Sequence, residues 1–121
     1  MKAKSIKIGI RSEREALDHF IATAEAISRG EQVREEHGVY FTSLEAFRKA
    51  VTPKRLALLH LIRTARPTSL NELARLSKRN IKNVADDVRH LSQIGLIESS
   101  EEGNRLVLRV DYEAIDLRIA V

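Results

Sequence analysis

Between Thr52 and Val110 the sequence carries two helix starts, a tight turn, a third amphipathic stripe and then a switch to alternation, and that order leaves few folds open. Thr52-Pro53 pairs an N-cap with proline at the first helical position. The helix it opens is expected to run to about Thr64, where Arg66-Pro67-Thr68 stops it. Leu56, Leu59, His60 and Ile62 or Arg63 straddle its faces, and Leu58 and Leu61 broaden the apolar stripe. Ser69-Leu70-Asn71-Glu72 has capping-box spacing and opens a short helix ending near Leu76, with Leu70, Leu73 and Ala74 inward. Ser77-Lys78-Arg79 reads as a turn. A third helix follows from about Asn80 to Gln93: Ile81, Val84, Val88, Leu91 and Ile94 recur at steps of three and four as one buried stripe, and Gly95 ends it. Ala74 is small enough to let two helices cross steeply at close approach. The spacing from Leu73 to Val84 therefore predicts helix, tight turn, helix.

After Gly95 the period changes. Leu96-Ile97-Glu98 enters a strand, Ser99 to Asn104 is turn-forming with Gly103-Asn104 at the tip, and Leu106, Leu108 and Val110 alternate with Val107, Arg109 and Asp111. A two-stranded hairpin directly after the second helix of such a pair is a wing. Ala114 to Leu117 is expected to form a short last helix, with Tyr112, Ile115 and Ile119 available for packing.

The first third is less regular. Ile6, Ile8 and Ile10 alternate with Lys7 and Gly9, which predicts a short half-buried strand. Ser12 and Glu15 have capping-box spacing, and Ala16, Leu17, Phe20, Ile21, Ala24 and Ile27 recur on one face of the helix that follows, with Gly30 as its stop. Val39-Tyr40-Phe41 reads as a strand or an extended lead into the next helix. Ser43 can cap that helix from Leu44 to about Ala50, with Leu44 and Phe47 inward. Ile6–Ile10 at an exposed edge would invite pairing with another copy, and Ile6, Ile8, Ile10 and Phe20 are the expected dimerisation residues. The alternative is that the strand pairs within its own subunit.

Charge is unevenly spread. The chain has 121 residues and a net charge of +4. Residues 51–95 hold nine basic and three acidic side chains, a net of +6, whereas residues 96–121 hold three basic and six acidic, a net of −3. A basic segment is an electrostatic footprint for nucleic acid, or else a solvated surface. Ser77, Lys78, Arg79, Asn80, Lys82, Asn83, Asp86 and Arg89 lie at the turn and on the face of the third helix that the apolar stripe leaves outside. Short polar and basic side chains at a helix start match the major groove, where Arg or Lys reaches guanine O6 and N7 and Asn pairs with adenine N6 and N7. Asp86 either accepts from a cytosine N4, orients Arg89 or Lys82, or merely pairs with nearby cations. Glu101 and Glu102 beside the hairpin tip repel phosphate, so only Arg105, with Arg109 second to it, suits a backbone contact there.

Other chemistries find little support. No cysteine is present, which removes disulfides, thiolate metal sites and thiol nucleophiles. His19, His37, His60 and His90 form no ligand pair at helical or loop spacing; His60 reads as a core-edge residue, and His37 beside Glu35-Glu36 as a polar turn. Ser99 and Ser100 lack a neighbouring base, no glycine loop cradles phosphate, and no enzyme, metal or cofactor is expected. No apolar run approaches a membrane span, and none follows Lys2, Lys4 and Lys7 as a secretory signal would require, so a cytoplasmic protein is expected. The few aromatics form no stacking platform for RNA.

T-P-K-R-L-A-L-L-H-L-I at 52–62, S-L-N-E-L-A-R-L-S-K-R-N-I-K-N-V at 69–84 and L-S-Q-I-G-L-I at 91–97 resemble the MarR-like winged helix-turn-helix regulators. The arrangement over residues 39–112 is also similar to a group of small prokaryotic predicted transcriptional regulators, in which F-T-S-L-E-A-F-R-K precedes the T-P-K-R helix, as at 41–49. The resemblance implies sequence-specific binding of double-stranded DNA as a homodimer, with Asn80, Lys82 and Asn83 at the groove-facing helix start. Some members resemble antitoxins, which implies a toxin as a second partner. The sequence departs from the MarR-like pattern at its N-terminus, where a strand and one helix replace a longer helical dimerisation region. The expected fold is thus α+β: a dimerising strand and helix extension over 1–50 and a winged helix-turn-helix domain over 51–121. The expected function is a DNA-binding repressor. The rival is a module that binds a partner protein through the winged helix or the N-terminal segment.

Overall fold

The computed structural model describes residues 4–33 and 38–121. The polar turn expected at His37 lies outside the described residues.

The central helices form where their caps dictate. In α3 (Pro53–Ala65) the Thr52 hydroxyl accepts from Arg55 N at 3.2 Å, and left-handed Arg66 ends the helix ahead of Pro67. In α4 (Leu70–Ser77) the Ser69 hydroxyl accepts from Glu72 N at 3.1 Å. The Glu72 carboxylate does not return to Ser69; it accepts from the backbone N and hydroxyl of Thr68 at 3.2 and 2.9 Å, tying down the residue before the cap. Lys78 closes α4 in the left-handed conformation (φ 57°), and α5 (Ile81–Gln93) starts three residues later. An antiparallel hairpin follows, β3 (Glu98–Glu102) with β4 (Arg105–Arg109). The expected turn over Ser99–Asn104 contracts to Gly103-Asn104, because Ser99 to Glu102 pair in register with Leu108 to Arg105. Gly103 has φ +67°, the first-position requirement of a two-residue hairpin turn. This succession of α3, α4, α5, β3 and β4 is a winged helix-turn-helix.

Its core gathers Leu58, Leu59 and Ile62 from α3, Leu73 and Ala74 from α4, and Val84, Val88 and Leu91 from α5, closed by Leu96, Ile97, Leu108 and Val110. Each large side chain removed from water here contributes about 1.5–3 kcal/mol. The stripe of α5 holds from Val84 to Leu91, but Ile81, the first residue of the helix, is exposed. Leu56 and Leu44 are likewise at the surface; Phe47 is half-buried and meets Phe41 edge-on at 5.5 Å.

The N-terminal third is built into the same core. β1 (Ser5–Ile10) leads through α1 (Glu13–Ser28) to β2 (Val39–Phe41) and α2 (Leu44–Ala50). Ala114–Arg118 is not a helix but a strand, β5, parallel to β1 with Ile115 and Leu117 beside Ile6 and Ile8. The period-2 alternation of Ile115, Leu117 and Ile119 is satisfied by a sheet and not by a single helical turn. The sheet order is β2-β1-β5, so β1 is its centre. Both hydrogen-bonding edges of β1 are occupied within the subunit, Ile8 is 1% exposed and Ile6 and Ile10 are half-buried. This corrects the assignment of Ile6, Ile8 and Ile10 to an exposed dimer edge. A strand from beyond residue 110 completes the sheet of the first fifty residues. Phe20 remains on the surface, 69% exposed. No described helix is long and apolar enough to cross a membrane.

One ion-pair cluster locks the helices. Asp87 of α5 accepts from Arg55 Nε at 3.0 Å and from Arg79 Nη2 at 2.7 Å, with the three side chains only 15–20% exposed. Arg55 also donates through Nη1 to the carbonyl of Ala50 at 2.8 Å. The cluster thus ties the end of α2, the start of α3, the turn and α5. Burial opposes ionisation of Asp87, but the hydrogen bonds from Arg79 and Arg55 outweigh it and hold the carboxyl below its ordinary 3.8. On the far side, the Tyr112 hydroxyl donates to the carbonyl of Leu96 at 2.7 Å, and burial pushes its pKa up to about 12.

Two outcomes are expected. Asp87→Asn should cost about 2–4 kcal/mol in urea unfolding, because it leaves two partly buried arginines without their anion. The parent's Asp87 contribution is full above its unfolded pKa near 3.8 and is lost as pH falls through the lower folded pKa, so the stability gap between parent and variant should close in acid. A gap unchanged by acid would contradict the assignment. Tyr112→Phe should cost about 0.5–1.5 kcal/mol by the same measurement, and should remove the parent's loss of stability as pH rises from 10 toward 12.

Candidate nucleic-acid interface

The residues singled out at the turn and on α5 divide into two groups. Lys78, Lys82, Asn83 and Arg89 are exposed. Lys82 and Arg89 lie on the side of α5 opposite Val84, Val88 and Leu91, with half-buried Asp86 between them, and Arg89 Nη2 donates to Asp86 Oδ1 at 3.2 Å. Asp86 therefore orients Arg89, one of the roles its spacing allowed. Lys78 stands in a left-handed position that glycine would occupy without steric penalty, yet carries a long cationic side chain.

The other group serves the frame. Arg79 is turned inward to Asp87, and its Nη1 is buried without a hydrogen-bond partner, so it does not offer its guanidinium to an outside ligand. Asn80 is the N-cap of α5; its side-chain oxygen accepts from Lys82 N at 2.8 Å. Bidentate pairing with adenine uses that same oxygen, whose direction is already set by the cap, so Asn80 meets a base only in the orientation that the cap allows. The Ser77 hydroxyl donates to the carbonyl of Ala74 at 3.1 Å.

The hairpin repeats the charge pattern of its sequence. Arg105 is exposed at the start of β4, but it lies in register with Glu102, and Glu98 lies in register with Arg109. Arg109 Nη2 also reaches Glu102 Oε1 at 3.3 Å. The two arginines of the hairpin thus stand among three glutamates, and its field toward a phosphate backbone is weak.

Two surface residues were not foreseen. Ile81 is exposed beside Lys82 at the start of α5, where the stripe had placed it inside. His90 is exposed one turn beyond Asp86, and its Nδ1 lies 2.8 Å from the Asp86 carbonyl. A carbonyl only accepts, so Nδ1 donates this hydrogen bond. The step of four residues from Asp86 is the signal that would have placed His90 on the outer face.

No curated protein sequence matches the chain. Among solved structures it is similar to the homodimeric winged helix-turn-helix DNA-binding domain of Mb0332 from Mycobacterium bovis, described as a possible ArsR-family transcriptional regulator, at 21% identity over 84% of this chain and 73% of that one, with a TM-score of 0.43. It is also similar to a crystal structure of MarR, at 20% identity over 81% of this chain and 64% of that one, with a TM-score of 0.45. Likenesses of that size say nothing about what this chain binds. The sequence match is firmer: the family model HVO_A0114 covers residues 50–117. Because that match takes in more than half of the chain, from the end of α2 into β5, the chain belongs to the HVO_A0114 family.

Proposed function

We propose that this protein is a sequence-specific double-stranded DNA-binding regulator that acts as a homodimeric repressor and inserts α5 into the major groove. The observation that carries the reading is the exposed cationic row of Lys78, Lys82 and Arg89 along the turn and outer side of α5. It sits in the one stretch of the chain with a large positive excess. In this reading Lys82 and Arg89 reach guanines or phosphates, Asn83 reads a base edge, Ile81 packs on a thymine methyl, and Lys78 anchors a phosphate. A palindromic site would match a two-fold protein. Occupancy of a site that overlaps a promoter would block transcription. The hairpin contributes little, since Arg105 faces Glu102.

A second reading, an antitoxin-like module that binds a partner protein, is favoured by α1. That helix has no buried residue, and Leu17, Phe20, Ile21 and Ile27 are all exposed on one side. The two readings are compatible in one molecule, since they use different surfaces.

Selection from a random DNA pool with the purified protein should enrich a palindromic sequence. On that sequence, Lys82→Ala and Arg89→Ala should each weaken binding; a phosphate contact should lower the salt slope by about 1, and a base contact should cost roughly 1–3 kcal/mol and relax specificity at one position. Arg79→Ala should act differently, lowering thermal stability through Asp87 while leaving the salt slope of the folded protein unchanged. Lack of enrichment by folded protein, or wild-type binding by both α5 variants, would remove this reading.

A further inference from the structure

Placing β1 at the centre of its sheet moves the free edge elsewhere. In the order β2-β1-β5, one side of β5 is bonded to β1, and the other side has no strand beside it among the described residues. Ala114–Arg118 has no proline, glycine bulge or lysine to blunt the edge, and its only charges are one of each sign, Asp116 and Arg118. Its side chains alternate. Ile115 and Leu117 share a side with Ile6 and Ile8, and Asp116 lies on the other side, where its carboxylate accepts from Lys7 Nζ at 2.6 Å. Arg118 ends the strand on the side of Asp116, and Ile119, just beyond it, would continue the apolar row if the strand lengthened by one residue. Leu117 and Ile119 are 38% and 46% exposed, an apolar margin at the rim of the core.

We propose that this edge receives a second copy of the chain, with β5 antiparallel to the β5 of its partner and Leu117 opposite Leu117 of the partner subunit. The two three-stranded sheets then join into one of six strands. Charge selects the register. Centred on Leu117, the pairing sets Asp116 opposite the partner's Arg118 and Arg118 opposite the partner's Asp116, two oppositely charged cross-strand pairs on one face. The other face brings Ile115 against the partner's Ile119, twice, around the Leu117 pair. Centred one residue earlier, the pairing would oppose two Asp116 carboxylates; centred one later, two Arg118 guanidiniums. A parallel in-register pairing would oppose both like pairs. Only the register on Leu117 satisfies charge and burial together. The proposal deepens the homodimer of the regulator reading and rests on it only for the two-fold symmetry.

The absence of cysteine makes the test clean. Leu117→Cys introduces a single thiol whose Cα would lie about 4.5–5.5 Å from its symmetry mate, within disulfide reach. Mild oxidation should convert most of this variant into a reducible dimer of twice the 13.7 kDa chain mass, while Phe20→Cys on α1 should give little under the same conditions. By light scattering, Arg118→Asp should shift the parent dimer toward a single-chain mass with unchanged circular dichroism, and Arg118→Lys should not. The proposal is overturned if Phe20→Cys cross-links and Leu117→Cys does not, if Arg118→Asp remains as dimeric as the parent, or if the parent is monomeric. These measurements contain no DNA. A β5-linked dimer that enriches no DNA would overturn the regulator reading and leave the interface standing; a DNA-binding chain without the β5 linkage would do the reverse.

Discussion

The orientation of α5 depends on Asp87. A helix-turn-helix needs two helices at a steep angle around a three-residue turn, and apolar packing alone leaves such a pair free to rotate, because the hydrophobic effect has no direction. Asp87 supplies direction. Its two oxygens accept from Arg79 in the turn and from Arg55 in the preceding helix, and Arg55 carries the link onward to the end of α2. The geometry of three charged groups, mostly shielded from water, defines one angle where Leu73, Ala74 and Val84 would tolerate several. It also turns Arg79 inward, away from the outer face of the turn.

That withdrawal shapes the charge of the outer surface. With Arg79 inside, the cations left at the turn and on α5 are Lys78, Lys82 and Arg89, and Asp86 lies between the last two. The acid offsets part of the field but holds the guanidinium of Arg89 against the helix, which in the regulator reading would lower the entropy lost on meeting a base. The hairpin takes the opposite sign. Cross-strand pairing of Glu98 with Arg109 and Glu102 with Arg105 stabilises it as a ladder while cancelling its attraction for phosphate. Affinity for DNA would then reside in one helix, and a single helix seldom suffices. Two copies on one duplex would restore it, which is why the surface that joins them matters to the regulator reading.

The parallel sheet gives that surface its form. β1 sits between two parallel neighbours, and Ile8 passes from it into the core of the helical unit, so the first strand and the last are held by the same apolar cluster. Parallel strands need long crossovers, and here the connection from β1 to β5 is nearly the whole chain. The helical unit is therefore folded inside the connection, and the sheet edge is placed by it.

Much of the central unit was legible. Thr52-Pro53, Ser69 and Glu72, and the steps from Val84 to Leu91 each encode a local event: a cap, a turn, a buried face. Hydrogen bonds and side-chain contacts three or four residues apart decide such events, and the sequence by itself determined them, together with the charge of each segment. Other features were decided only by contacts between distant residues. The alternation at Ile6–Ile10 marked a strand, but nothing local distinguished an edge from a centre, because the partner that fills the edge lies more than a hundred residues away. The same alternation at Ile115–Ile119 was too short to identify before a neighbouring strand was present. Arg79 and Asn80 had the right chemistry for a groove, and only the placement of Asp87 and the start of α5 turned one inward and made the other a cap. Ile81 followed the apolar period, yet the fold leaves it at the surface. A sequence records what each residue can do; which of those capacities is used depends on which surface the fold brings against it.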